Sequence, residues 1–153
     1  MALSTEQLRA LLDPEEPNYA TMATLLAPDD IPGLNALVNG SDPMLASKAA
    51  YAMTLIPDTA VLETVKAAAD NPSPVVRIAF AAGLRNLGGY DVDGVVMRLL
   101  DDEDAGVRKT ATSTAGLLES PALKAKLRSV AEEDPEPGIR AMAKRALGEP
   151  RIG

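Results

Sequence analysis

The chain has 153 residues, with 15 Lys and Arg against 22 Asp and Glu and a formal net charge of -7. It contains no His, no Cys, no Trp and a single Phe, which excludes Ser-His-Asp and Cys-His nucleophile systems, thiolate or imidazole zinc sites, haem ligation and disulfides. A hydrophobic content of 46% with 24% charged residues is that of one ordinary globular domain, so the chain should bury a core, and any chemistry would rest on carboxylates, amines and hydroxyls.

Taken from the start, STEQLRALL opens on a capping-box pattern from Ser4 to Gln7 and predicts a helix, and PNYATMATLLA predicts a second short one. The segment MALSTEQLRALL has no basic region and carries Glu6 within its apolar stretch, and no apolar run reaches the length of a membrane span. A soluble cytoplasmic protein without a signal peptide or membrane segment is therefore expected, and the absence of Cys fits that compartment.

From residue 30 onward the chain repeats. The segments DPMLASKAAYAMTLI, SPVVRIAFAAGLRNL, DAGVRKTATSTAGLL and EPGIRAMAKRALG align on Leu45, Val76, Val107 and Ile139, at spacings of 31, 31 and 32 residues. Four residues after each of these anchors stand Ala49, Phe80, Ala111 and Ala143, and eight after stand Met53, Leu84, Ala115 and Leu147. Those offsets trace one helical face. Ile56, Leu87 and Leu118 extend it, while the fourth copy runs out into Gly148 and Pro150. Each copy follows another apolar-periodic stretch and a breaker-rich turn: IPGLNALV with NGSDP, AVLETVKAAA with DNPSP, DGVVMRLL with DDEDAG, and PALKAKLRSVA with EEDPEPG. The unit is thus helix, turn, helix. Pro32, Pro43, Pro74, Pro121 and Pro137 fall near helix starts, where a missing N–H leaves no intrahelical bond unmade. The second helices are predicted over 43–56, 74–87, 105–118 and 137–147.

VVRIAFAAGLRNL, VRKTATSTAGLL and IRAMAKRALG resemble the second helices of HEAT repeats, in particular the short variety found in phycobilin lyases, over roughly residues 30 to 148. The resemblance implies an all-α fold, an α-α superhelix or HEAT-like solenoid of about four to five helix pairs. The whole of 1–153 is expected to be one such domain, with 1–29 a divergent N-terminal capping pair, 30–148 four repeats and 149–153 a tail. This chain departs from the pattern at Ala46, where the other copies have Arg77, Arg108 and Arg140. It departs again at Thr110, Thr112 and Thr114, where small apolar residues are usual.

The repeated arginines read as structural. Asp70 and Asp101 stand six residues before the second and third anchors, with the Glu132 to Asp134 cluster in the last copy, and the copy that lacks the Arg has Asn39 there instead of the acid. An Asp–Arg ladder through Arg77, Arg108, Arg140, Asp70 and Asp101, bracing the turns, is the expectation, since partly buried charge is tolerated when paired. The acidic run Asp101 to Asp104 is not a calcium loop, because Thr112 holds the position of the bidentate Glu; these acids favour the positive N-terminus of the following helix. No metal or cofactor site and no catalytic residue is predicted.

The four second helices hold Lys48, Arg77, Arg85, Arg108, Lys109, Arg140, Lys144 and Arg145 and no Asp or Glu. Offsets of two, six and nine from the anchors should point away from the core, placing Ser47, Tyr51, Thr54, Ile78, Arg85, Lys109 and Arg145 among the outward positions. In HEAT arrays second helices usually line the concave side, so the resemblance implies a groove with a positive lean. Two readings stand for it: helix propensity and helix-start preferences alone would leave bases in helix interiors, or the groove takes an acidic or anionic partner.

The leading expectation is a non-enzymatic interaction or scaffold module that binds a protein partner through Tyr51, Ile78, Arg85, Lys109 and Arg145. HEAT-like di-iron hydroxylases need His ligands and HEAT-like DNA glycosylases need a basic aromatic groove, so this composition fits neither. An accessory subunit beside a lyase-like or other enzyme is the alternative, as is an anionic ligand or nucleic acid on the basic strip. A pI near 4.6 argues against nucleic acid, since duplex phosphates repel the acidic remainder. A monomer is expected, with end-to-end dimerisation as the alternative.

Overall fold

A computed structural model describes residues 1–148. It contains α1 (Thr5–Leu12), α2 (Tyr19–Leu25), α3 (Ile31–Val38), α4 (Pro43–Met53), α5 (Val61–Ala68), α6 (Pro74–Gly83), α7 (Asp93–Leu100), α8 (Ala105–Leu118), α9 (Pro121–Glu133) and α10 (Pro137–Ala146), with no strand among the described residues. The expected tail, 149–153, including Pro150, lies outside them.

The helices start where the sequence places caps. Ser4 and Gln7 close a reciprocal capping box on α1, Asn18 caps α2, and Asp42, Asp104 and Ser120 accept N–H groups at the starts of α4, α8 and α9. Proline occupies the first turn of α4, α6, α9 and α10. Two second helices stop earlier than the periodicity predicts. α4 ends at Met53, where the Thr54 hydroxyl donates to the Tyr51 carbonyl (2.6 Å) and Pro57 restricts the backbone that follows. α6 ends at Gly83 and tightens into a 3₁₀ turn over Leu84–Leu87 before the Gly88–Gly89 pair.

Helices pair as α3/α4, α5/α6, α7/α8 and α9/α10, and the second helices stack in sequence, α4 on α6, α6 on α8 and α8 on α10. This is the α-α solenoid. The buried stripe follows the expected offsets: Val76, Phe80, Leu84 and Leu87 in the second copy are all about fully enclosed, and Val107, Ala111 and Ala115 in the third. Leu8 and Leu12 of α1 and Met22 of α2 join the same core, so the first pair covers the outer side of α3 and α4. The buried Asp30 carboxylate ties that pair down by accepting from Leu3 N (2.7 Å) and Ala27 N (2.9 Å).

Small residues set how closely the second helices approach. A Cβ on Gly83 would lie 2.3 Å from Thr54 Oγ1, and one on Gly116 would lie 2.9 Å from Ala146 Cβ, so both glycines are places where a neighbouring helix fills the space. Thr54, expected to point outward, is instead fully buried beneath Gly83. The three threonines of α8 are satisfied in different ways. Thr110 and Thr112 donate to the carbonyls four residues back, Gly106 and Arg108, whereas Thr114 crosses to the Ala81 carbonyl of α6 (2.6 Å). The polar departures from the repeat pattern thus cost no unpaired hydroxyl.

Candidate partner-binding surface and the arginine ladder

The repeated arginines build a ladder, but not with the carboxylates expected from the sequence. Arg77 donates through Nε to Asp102 Oδ2 (2.9 Å) and through Nη2 to Asp102 Oδ1 (3.0 Å); Arg108 donates through Nε to Asp134 Oδ2 (3.0 Å). Each rung therefore runs forward, from the arginine of one copy to an aspartate in the turn of the next. Asp70 and Asp101 are not rungs. They lie on the exposed rim, where Asp70 pairs with Arg98 and Asp101 with Lys126 (2.8 Å). The physical reason is one residue of register: the position five before the anchor, not six, turns its side chain inward toward the preceding copy.

Each ladder arginine also ties down its own turn, by donating Nη1 to a carbonyl six residues back: Asn71 for Arg77 (2.7 Å), Asp102 for Arg108 (3.0 Å) and Asp134 for Arg140 (2.7 Å). The receiving aspartates act inside their own turns as well, Asp102 Oδ1 accepting from Asp104 N and Asp134 Oδ1 from Glu136 N, each at 2.9 Å. The side chains of Arg77 and Asp102 are only 8% and 9% exposed, so the pair is desolvated and its bidentate geometry compensates that loss. The hydrogen bond to Asp102 holds the Arg77 guanidinium above its ordinary range against the opposing pull of burial.

With the ladder withdrawn into the turns, the outward face of the second helices is left to fewer bases than their number suggests. Lys48 is also committed, donating Nζ to the Pro14 carbonyl of the α1–α2 connection (2.8 Å). Arg85, Lys109, Lys144 and Arg145 remain exposed.

The structure brings Tyr51 and Arg85 together, with Arg85 Nη2 3.5 Å from the Tyr51 hydroxyl. Lys109 and Arg145 lie on the successive second helices α8 and α10, at earlier offsets than Arg85, and form no hydrogen bond or ion pair with either residue among the described residues. Ile78 is half-buried and packs toward the next copy, since a Cβ on Gly106 would lie 3.1 Å from its Cδ1. Its role is therefore at least partly to join repeats.

Two partners of this surface escape the sequence pattern. Tyr19 of α2 stands against Tyr51, ring centroids 4.7 Å apart and tilted by 60°. Asn86 reaches the same corner, donating to Thr54 Oγ1 at 3.3 Å. Neither α2 nor the residue ten beyond the anchor belongs to the repeat's outward positions, and only the bulk of Tyr19 could have drawn attention to it.

The aromatic pair has a titration signature. The polar side chain of Asn86, with a further contribution from Arg85, draws the Tyr51 phenol below its ordinary value despite burial, whereas burial and the neighbouring Tyr51 push Tyr19 above its ordinary value. Tyr51 is expected to ionise before Tyr19, so in an ultraviolet titration Tyr51→Phe removes an early step and Tyr19→Phe a late one. The reverse order would refute the assigned contacts. The sign for stability follows: the Tyr19 contribution is present below the unfolded value and lost as pH rises through its raised folded value, while Tyr51 contributes none near neutral pH.

Among the described residues no group of three or more His, Cys, Asp or Glu is placed to hold a metal ion, and no helix is long and apolar enough to cross a membrane. A cleft of about 290 Å³ lies on the turn side between Leu100 and Pro135 and includes Lys126 and Glu133.

Stacked helix pairs with their polar bracing in the turns and an outward helical face define an α-solenoid repeat protein. Residues 66–148, more than half of the chain, match HEAT repeats, and the chain belongs to that family. No curated protein matches it in sequence. HEAT repeats commonly serve as protein-interaction scaffolds.

Proposed function

We propose that the protein is a non-enzymatic interaction module that binds a protein partner on the outward face of its second helices. One observation carries this reading: the second helices α4, α6, α8 and α10 contain no carboxylate in a protein of net charge -7, and Arg85 in the turn after α6, Lys109 of α8 and Arg145 of α10 stay exposed after the ladder has taken its arginines. The Tyr19–Tyr51 pair beside Arg85 adds the residue types that dominate binding energy at interfaces. An acidic segment of the partner is the matching chemistry. Its charges would steer encounter along the basic strip, and the tyrosine corner would supply the desolvated anchor. In this reading α1 and α2 cap the array, and the module acts in the cytoplasm as a monomer without a cofactor. A subunit accessory to a lyase-like or other enzyme is one form such a module could take.

The test is a nuclease-treated affinity capture comparing the wild type with a folded Arg85→Glu, Lys109→Glu, Arg145→Glu variant, followed by titration of the captured protein in purified form. Wild-type binding that weakens at least about tenfold in the variant, and that weakens with added salt, is the expected result. Equal affinity for both forms would remove the basic face as the site.

A further inference from the structure

The first step of the ladder is different in kind from the other two. Where Arg77 and Arg108 send a guanidinium forward, the first copy has Ala46, and where Asp102 and Asp134 receive one, the second copy has Asn71. The substitutions are matched, because a carboxylate without its arginine would be a buried uncompensated charge. Between them lies a cleft of about 140 Å³, with Val38, Pro43, Ala46, Pro72 and Val76 as its apolar wall and Asn39, Gly40, Asn71 and Ser73 at its polar edge.

The orientation of Asn71 is set by its own turn. Its Oδ1 accepts from Ser73 N (2.9 Å), the role that Asp102 Oδ1 and Asp134 Oδ1 play for Asp104 N and Glu136 N. The other terminal atom, which in Asp102 and Asp134 is the oxygen that meets the arginine Nε of the preceding copy, is in Asn71 the amide nitrogen Nδ2. Asn71 is 9% exposed, and its Nδ2, which has no hydrogen-bond partner among the described residues, is not sealed from the solvent of the cleft. Across the cleft the Gly40 carbonyl corresponds to the carbonyls of Asn71, Asp102 and Asp134 that accept Nη1 in the other copies; it accepts no hydrogen bond among the described residues.

A group that completes this rung must therefore accept a hydrogen bond at Asn71 and donate one at Gly40. A guanidinium only donates and a carboxylate only accepts, but a primary carboxamide does both. The apolar wall calls for a methylene stem ahead of that head group. A cavity of about 150 Å³ is known to hold benzene, with six heavy atoms, and the glutamine side chain has five. We infer that the cleft between the first two repeats is a binding site for a glutamine side chain presented by a protein partner. The site lies on the turn edge, apart from the second-helix face, and rests on the interaction reading only for the source of the side chain.

The test is an NMR titration of the full chain with three small probes of similar size, propionamide, propionate and ethylguanidinium, read at the backbone amides of Gly40 and Ser73. Propionamide is expected to give a saturable shift at millimolar concentration, at least about tenfold stronger than either ion, as one mismatched hydrogen-bonding group predicts. Asn71→Asp keeps the acceptor of the turn but exchanges the donor for an acceptor, and should invert the preference to ethylguanidinium. Ala46→Gln should complete the rung internally and abolish the response. Should that variant fail to fold, the Asn71→Asp inversion decides alone. No saturable response to propionamide, or a preference unchanged in Asn71→Asp, would overturn the inference. The titration needs no partner, so its failure leaves the second-helix face untouched, and failure of the face variants leaves this site untouched.

Discussion

Asp102→Ala should destabilise the protein by about 3–5 kcal/mol, the loss typical of removing one member of a buried ion pair. Two functions fail together in that variant. Arg77, whose side chain is 8% exposed, keeps its charge without the bidentate acceptor, and the turn before α8 loses the acceptor for Asp104 N. Asp102→Asn preserves the turn acceptor and should fall between the wild type and the alanine variant. Replacing both partners with apolar residues of similar size, Arg77→Met with Asp102→Leu, should recover much of the loss, because no charge is then left buried. The controls are the two carboxylates that stand six residues before their anchors, Asp70 and Asp101. Asp70→Ala and Asp101→Ala remove pairs on the exposed rim and should produce no measurable change, the usual outcome for such pairs. Urea denaturation followed by far-ultraviolet circular dichroism measures all five. Equal losses for Asp101→Ala and Asp102→Ala would contradict the assigned register of the ladder.

Phe80→Ala is expected to be as severe, again about 3–5 kcal/mol. Phe80 is the single Phe of the chain and is 1% exposed; it stands in α6 at the offset where the other copies have Ala49, Ala111 and Ala143. Three small residues and one large one at equivalent positions mean that the neighbouring copies supply only alanine at that offset. Phe80→Leu, which keeps most of the volume, should cost less. Solenoid stability is close to a sum of repeat and nearest-neighbour terms, so the damage should be local. Hydrogen exchange should accelerate most in α4, α5 and α6 and least in α10. Uniform loss of protection along the whole chain would show that the array unfolds as one unit.

Much of this molecule is legible in its amino-acid order. The 31-residue spacing of Leu45, Val76 and Val107, the capping residues Ser4, Asp42 and Asp104, and the prolines at helix starts are local features, and each ended in the element it predicts. Burial along one helix follows from the angle between successive side chains on the same backbone, so most of the core stripe was readable too; the exceptions are Thr54, which is buried, and Leu45, Leu118 and Leu147, which are only partly so, with Ala46 buried beside Leu45. That the arginines belong to a ladder was suggested by the first copy, which lacks both the Arg and the acid six before the anchor, although that acid is not the one the arginines meet. The pairing of Ala46 with Asn71 was also visible, once the acid is sought in the following copy instead of the same one.

Only the tertiary structure decided which carboxylate each arginine meets, that Lys48 is spent on the Pro14 carbonyl, that Tyr19 stacks on Tyr51, and that Thr54 lies beneath Gly83. These contacts join residues about one repeat or more apart. They depend on how far successive helix pairs slide and rotate against one another, and that is set by packing between side chains such as Gly83, Thr54, Gly116 and Ala146 across the stack. Periodicity within one helix carries no information about that offset, and a shift of a single residue exchanges Asp101 on the solvent rim for Asp102 beneath Arg77.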